Sequence, residues 1–308
     1  DTLISFDKKL MLKVKKTVSD YFDGFQGMKP YEKGKGTPTQ TREMMQAKVY
    51  HSETKTDNTY FPLIGASNVQ RFNLKQPSEY IKYGRNLAAP RKMEIFSGPR
   101  LLLNRILSKD TIDVIYVDEI IINNTDVFNF LPKKGKESFV KPLLALIGSR
   151  VCSKYFKLSN VNLSRRAFPK LNVNNILAFP VPDNLDEKKD DLTKLVDLSM
   201  SSFNQLTMTL MNLLSLLQSK FPIDKLSKKV QSWYDLEFGE FLKELKKAKV
   251  QLSLSEEAEW MHYFNEQKQK AQVLKAEIEK TDRAINQLVY ELYGLTEEEI
   301  AIVESSNS

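Results

Sequence analysis

The apolar positions of this 308-residue chain change their period near residue 183. Before that point they fall in short runs of strand character. Pro99 to Ile106 has an apolar middle, Leu101 to Leu103, held between Arg100 and Arg105. Thr111 to Asn123 is rich in Ile and Val and predicts a strand pair in a sheet core. Tyr60 to Phe72 predicts two short strands around Gly65, and residues 1–19 a strand or short helix. Residues 24–42 carry four glycines, two prolines and no long apolar run, which predicts a loop. From Glu137 to Leu158 the spacing turns helical, with Val140, Leu143, Leu144, Ile147, Val151 and Tyr155 on one face. Pro142 sits in the first turn, where its missing N–H costs little.

Past a charged linker, Asp183 to Asp191, the period becomes that of heptads. Leu192, Val196, Ser199, Phe203, Leu206, Leu210, Leu213 and Leu217 form one stripe. Trp260, Phe264, Gln267, Ala271, Leu274, Ile278, Thr281, Ile285, Leu288 and Leu292 form another. A third helix is predicted from Trp233 to Val250, and Thr296 with Glu299 spells a capping box after a Gly294 stop. The predicted fold class is α+β: a mixed α/β domain over residues 1–182, then an antiparallel coiled-coil-like helical bundle over 183–308.

Charge divides the chain at the same place. Residues 1–182 hold 30 Lys and Arg against 16 Asp and Glu, while the remainder holds 16 against 23. Nine of the ten arginines lie in the first part. That part therefore has the composition of a nucleic-acid partner. Its densest stretch is Tyr80 to Ile106, where Lys82, Arg85, Arg91, Lys92, Arg100 and Arg105 meet one anion, Glu94, with Tyr80, Tyr83 and Phe96 interleaved. Lys82, Arg91, Lys92 and Lys170 are candidate phosphate contacts. Gln40, Arg42, Gln70, Arg71, Arg85, Arg165 and Arg166 are candidate groove contacts, because glutamine and arginine can pair with adenine and guanine edges. Arg100 and Arg105 are either DNA contacts or members of structural ion pairs. Gly34-Lys-Gly36 presents backbone N–H groups to a phosphate or is a plain loop.

Recognisable catalytic chemistry is sparse. Two histidines and one cysteine supply no zinc site or Cys–His nucleophile pattern. There is no Gly-x-Gly-x-x-Gly after a strand and no Asn-Pro-Pro-Tyr-like tetrapeptide. Asp118-Glu119 reads as the solvated end of a strand. The single Cys152 excludes an internal disulfide and fits a reducing cytoplasm, and no apolar run is long enough for a membrane span.

Several stretches occur in a telling order: Lys33 to Thr41, Tyr60-Phe-Pro-Leu-Ile-Gly65, Tyr83-Gly84 with Leu87 to Arg91, Pro99 to Ile106, Asn123-Asn124-Thr125, Leu143 to Ser149 and Phe179 to Pro182. Together they resemble the TaqI-like C-terminal specificity domain of adenine-N6 DNA methyltransferases, including fused restriction–modification enzymes. Ala284 to Ile300 resembles the close of the same proteins. The resemblance implies a target-recognition domain that binds double-stranded DNA, beside an upstream methyltransferase domain that holds S-adenosylmethionine and methylates a flipped-out adenine. It implies no cofactor and no catalytic residue in this chain itself. The helical part is then a spacer or a docking surface for a helical partner. The rival reading is an interaction scaffold, whose coiled coil is the working part and whose basic domain meets RNA or protein.

Overall fold

The computed structural model describes residues 10, 14–107, 111–159, 170–223 and 225–305. It is an α+β chain that divides into two compact units. The first comprises residues 1–196 and 284–308, the second residues 197–283.

The first unit is built on two four-stranded sheets. Strands β1 (Lys16–Thr17), β2 (Phe22–Gln26), β3 (His51–Ser52), β4 (Tyr60–Ile64), β5 (Val69–Gln70), β6 (Asn73–Leu74) and β7 (Glu79–Lys82) come first. Helix α1 (Arg42–Gln46) lies between β2 and β3. Strands β8 (Arg100–Asn104), β9 (Val114–Val117), β10 (Ile122–Asn123), β11 (Val127–Pro132) and β12 (Pro180–Val181) follow. One sheet is antiparallel, in the order β2-β11-β8-β9. The other is mixed, β10-β4-β7-β3, with Ile122 of β10 parallel to Leu63 of β4.

Strand β8 is buried at all five positions, as are Phe128 and Phe130 of β11 beside it. A strand covered on both faces needs an unbroken apolar run, which Leu101 to Leu103 supplies. Thr111 to Asn123 does yield two strands, but they join different sheets: β9 pairs with β8, and β10 with β4. The exposed Asp118-Glu119-Ile120 turn separates them.

The apolar face from Glu137 to Leu158 belongs to two helices, not one: α2 (Val140–Ile147) and α3 (Arg150–Ser159). Ser149 makes the break. Its Oγ donates to the Leu146 carbonyl at 2.6 Å and accepts from Cys152 N at 3.3 Å, so one hydroxyl ends the first helix and caps the second. Helix α2 packs on β9 and β8. A short helix, α4 (Val173–Leu177), capped by Asn172, leads to β12, and β12 pairs with β1.

The charged stretch Asp183 to Asp191 is mostly helix rather than linker. Helix α5 (Leu185–Lys220) begins there. Asp186 and Glu187 sit in its first turn, where carboxylates meet the positive end of the helix dipole, and Asp186 pairs with Lys189 at 2.8 Å. Helices α6 (Lys228–Gln231), α7 (Phe238–Lys247), α8 (Leu254–Tyr293) and α9 (Glu297–Glu304) complete the chain. Every position of both heptad stripes is buried or half-buried.

In the second unit α5 and α8 run antiparallel, since Ser202 Oγ donates to Glu277 while Gln205 and Thr209 share a groove with Lys270 and Val273. The predicted third helix is shorter than Trp233 to Val250. Trp233 lies in a 3-10 turn ahead of α7, donates Nε1–H to the Leu210 carbonyl at 3.3 Å, and stacks edge-on to Phe264 with ring centres 5.5 Å apart. Phe241 joins them at 4.9 Å from Phe264, making an aromatic core.

The end of α8 returns to the first unit. Asn286 accepts from Arg150 N at 3.0 Å, and the buried Tyr293 hydroxyl donates to the Pro180 carbonyl at 2.6 Å. Gly294, at φ +55, then ends the helix in the left-handed conformation that suits glycine, and Thr296 and Glu299 form the expected box with bonds of 2.8 and 3.3 Å.

Candidate nucleic-acid interface

The loop before α1 and the loop after β7 carry Gln40, Arg85, Arg91 and Lys92, and they are fastened to each other. Ala89 and Lys29 exchange backbone hydrogen bonds of 2.9 and 3.0 Å, and Thr37 N donates to the Arg85 carbonyl at 2.8 Å. Between the loops lies Gln40, only 2% exposed. Its Nε2 donates to the carbonyls of Pro30 (2.9 Å) and Asn86 (2.7 Å), and its Oε1 accepts from Glu32 N (2.8 Å). Gly36, at φ +80, lets this happen. A Cβ there would stand 2.5 Å from the Asn86 carbonyl oxygen. The Gly34 and Gly36 loop is thus an ordered half of a two-loop platform. Lys33, Lys35, Arg85, Arg91 and Lys92 are exposed on these two loops, and Lys82 is exposed at the end of β7 that feeds the second.

Tyr83 fixes the far end of the second loop. Its hydroxyl lies 3.0 Å from the Pro90 carbonyl and 2.9 Å from that of Arg91, the residue that adopts φ +70. Its ring meets Phe61 and Phe96 edge-on at 6.0 and 5.9 Å. Burial, with Glu94 nearby, pushes the phenol up to about 12, so it stays a donor at neutral pH. Arg91 Nε donates to the Gly27 carbonyl at 3.4 Å, which ties the side chain's base to the first loop. Tyr83→Phe keeps the ring packing and loses the shared hydroxyl bond. It should cost about 1 kcal/mol in a urea titration of the chain.

Two candidates take other roles. Gln40 is a strut between loops, as its three bonds show, and its amide does not face solvent. Arg100 is fully buried, and its guanidinium donates to the carbonyls of Gly98 (2.9 Å), Glu119 (3.0 Å) and Ile121 (3.1 Å). Burial lowers its pKa to about 10, opposed by Glu119 and Asp118, and it remains charged at pH 7. Neither side chain reaches a groove from these positions.

The others are spread over the unit. Arg42 is exposed on the first turn of α1, which Thr41 caps. Gln70 and Arg71 belong to the β5–β6 hairpin, which packs against β8 and β9. Gln70 Oε1 accepts from Asn73 at 3.1 Å. The Arg71 guanidinium lies over Phe72, 4.7 Å from the ring centre, and its backbone N–H donates to Asp113 at 3.2 Å. Asp113 is raised by burial, which Arg71 partly offsets. Arg105 reaches Asp126 at 3.7 Å, and Ile106 bridges to the exposed Lys170. Arg165 and Arg166 lie outside the described residues. Lys33 and Lys35, missing from the candidate set, join the platform only because Gln40 and Gly36 bring their loop to Asn86. In sequence, the sole signal was the glycine spacing.

Among the described residues no cluster of histidine, cysteine and carboxylate side chains could hold a metal ion, and no helix is long and apolar enough to cross a membrane. Cys152 is fully buried, which raises its thiol well above the ordinary range.

Residues 61–181 match the TaqI-like C-terminal specificity domain, which bears out the resemblance over that span; Lys33 to Thr41 and Ala284 to Ile300 lie outside the match. Residues 185–289 match a domain of unknown function, DUF8810. No curated protein sequence matches the chain. Among solved structures it is similar to the type IIL restriction–modification enzyme MmeI in complex with DNA, with 12% identity and a TM-score of 0.41 over 94% of this chain. The chain spans 35% of the length of that protein.

Proposed function

We propose that this chain is the sequence-reading part of a restriction–modification adenine-N6 methyltransferase and binds duplex DNA without itself performing chemistry on it. The observation that carries the reading is the specificity-domain match, which falls on the sheet unit whose linked loops expose Lys33, Lys35, Lys82, Arg85, Arg91 and Lys92. In this mechanism the lysines and Arg91 neutralise phosphates and release counterions, and Arg85, with its planar fork, reaches a guanine edge. Residues 1–182 serve as the recognition domain and 183–308 as a spacer or docking bundle. S-adenosylmethionine belongs to a partnering methyltransferase domain, which flips the adenine that it methylates. The residues of this chain offer that cofactor no glycine-rich loop and no Pro-Pro tetrapeptide. A reducing cytoplasm suits the buried, unpaired Cys152.

The test is titration of duplex DNA at several salt concentrations. Lys82→Ala with Lys92→Ala should lower the log–log salt slope by about 2, at roughly 0.9 per phosphate, and weaken all sequences alike. Arg85→Ala should relax the preference at one base position. A wild-type slope near zero would overturn the reading.

A further inference from the structure

The second unit belongs to the half of the chain whose net charge is negative, yet it contains a local reversal. Between Lys225 and Lys249 there are seven lysines and four carboxylates. Each of the four carboxylates is already committed. Asp235 faces Lys275 of α8 at 3.6 Å, and Glu237 pairs with Lys268 of the same helix at 2.7 Å. Glu240 Oε2 accepts from Glu237 N at 3.1 Å and so closes the first turn of α7. Glu244, 8% exposed, accepts from Ser227 Oγ at 2.9 Å and from Lys247 at 2.7 Å, and thereby fastens α6 to α7.

Of the lysines, Lys247 is taken by Glu244, whose carboxylate Lys229 also helps to hold below its ordinary range. Lys229 of α6, with Lys243 and Lys246 of α7, is exposed, and among the described residues no carboxylate lies within ion-pair distance of any of the three. They line an open cavity of about 620 Å³ with Lys247, Leu236 and the two glutamates. Four lysines against two carboxylates, one of them already paired with Lys247, leave the rim of the cavity net positive, which favours an anion from outside.

We propose that the α6–α7 groove is a phosphate-backbone contact for duplex DNA, independent of the recognition loops and indifferent to sequence. This rests on the reading of the chain as a DNA-binding protein. The chemistry favours phosphates. Lysine ammonium groups are point charges on flexible stems, suited to a row of diester oxygens, and the groove offers no arginine fork or aromatic platform to read a base. It assigns a role to part of the segment that matches a domain of unknown function.

The experiment uses the full chain with Lys229, Lys243 and Lys246 all changed to Gln, which preserves length and removes three charges from exposed positions. Binding to a long duplex is measured against salt, beside a control in which Lys194, Lys270 and Lys280 become Gln. Circular dichroism monitors the helices of all variants. The groove variant should lose about 2 to 3 from the log–log slope and bind about tenfold or more weakly at low salt, equally for preferred and scrambled sequences. The control should lose far less. An unchanged slope, or an equal loss in the control, overturns the groove. A groove variant that matches wild type while Lys82→Ala with Lys92→Ala weakens binding leaves the recognition reading standing. A wild-type chain with no salt-dependent binding removes both. Loss of RNA binding with duplex binding intact would also overturn the proposal, and would assign the groove to RNA.

Discussion

Arg100→Leu is expected to destabilise the first unit by about 3 to 5 kcal/mol, the scale of leaving three carbonyls without their charged donor. Three carbonyls lose their donors: that of Ile121 in a buried contact, and those of Gly98 and Glu119 in part-buried ones. Those carbonyls belong to the entry of β8 and to the turn that carries the chain from β9 in one sheet to β10 in the other. The guanidinium is therefore the fixture that holds the crossing between sheets. For a unit of this size the loss should lower the melting temperature by about 10 °C. Arg100→Lys should recover little of it, because a single ammonium on a flexible stem cannot reproduce a planar fork aimed at three oxygens. DNA affinity per folded molecule should be unchanged in either variant. A variant that melts like wild type but binds DNA weakly would mean that Arg100 leaves the core to meet the duplex.

How legible this was in the sequence depends on the range over which each feature is decided. The heptad stripes were readable because a helix's burial pattern is set by its own period, and every stripe position is indeed covered. The run Leu101 to Leu103 announced a strand for the same local reason. The break at Gly148-Ser149 was harder, since the apolar face continues across it. Only a glycine and a serine whose hydroxyl serves both helices reveal the gap. The acidic residues read as a linker at 183–191 were in fact the first turns of α5, a signal present in sequence but shared with solvated loops. Partner choice was not legible at all. That β9 and β10 belong to separate sheets is decided by β8 and β4, and that Arg100 is satisfied by carbonyls up to 21 residues away is decided by the folded chain. Charge density therefore marked the basic stretch but could not separate its exposed cations from the one inside.

Gln40 carries the second large expectation, and it reverses the role that its side chain suggests in sequence. Gln40→Ala should strip two part-buried carbonyls and one N–H of their partners and cost about 2 to 4 kcal/mol, less than a full count because part of the loop can rehydrate. Gln40→Glu is the sharper variant. A carboxylate keeps the acceptor for Glu32 N but turns an oxygen, instead of an NH2 group, toward the carbonyls of Pro30 and Asn86 at under 3 Å. At pH 7 it should be more damaging than alanine. Lowering the pH should relieve part of the difference, because a protonated carboxyl supplies one donor. The sign follows from burial among acceptors, which raises the folded-state pKa of the new carboxyl above its unfolded value, so its penalty grows as pH climbs past the unfolded value. With the platform's two loops uncoupled, Lys33 and Lys35 no longer hold station beside Arg85 and Arg91. DNA affinity should fall about tenfold for every sequence alike, with the salt slope reduced. Melting curves and salt titrations of the two variants check this together. If Gln40→Ala instead melts normally and changes the preferred base, the side chain reads DNA directly and the platform is held together by its backbone bonds alone.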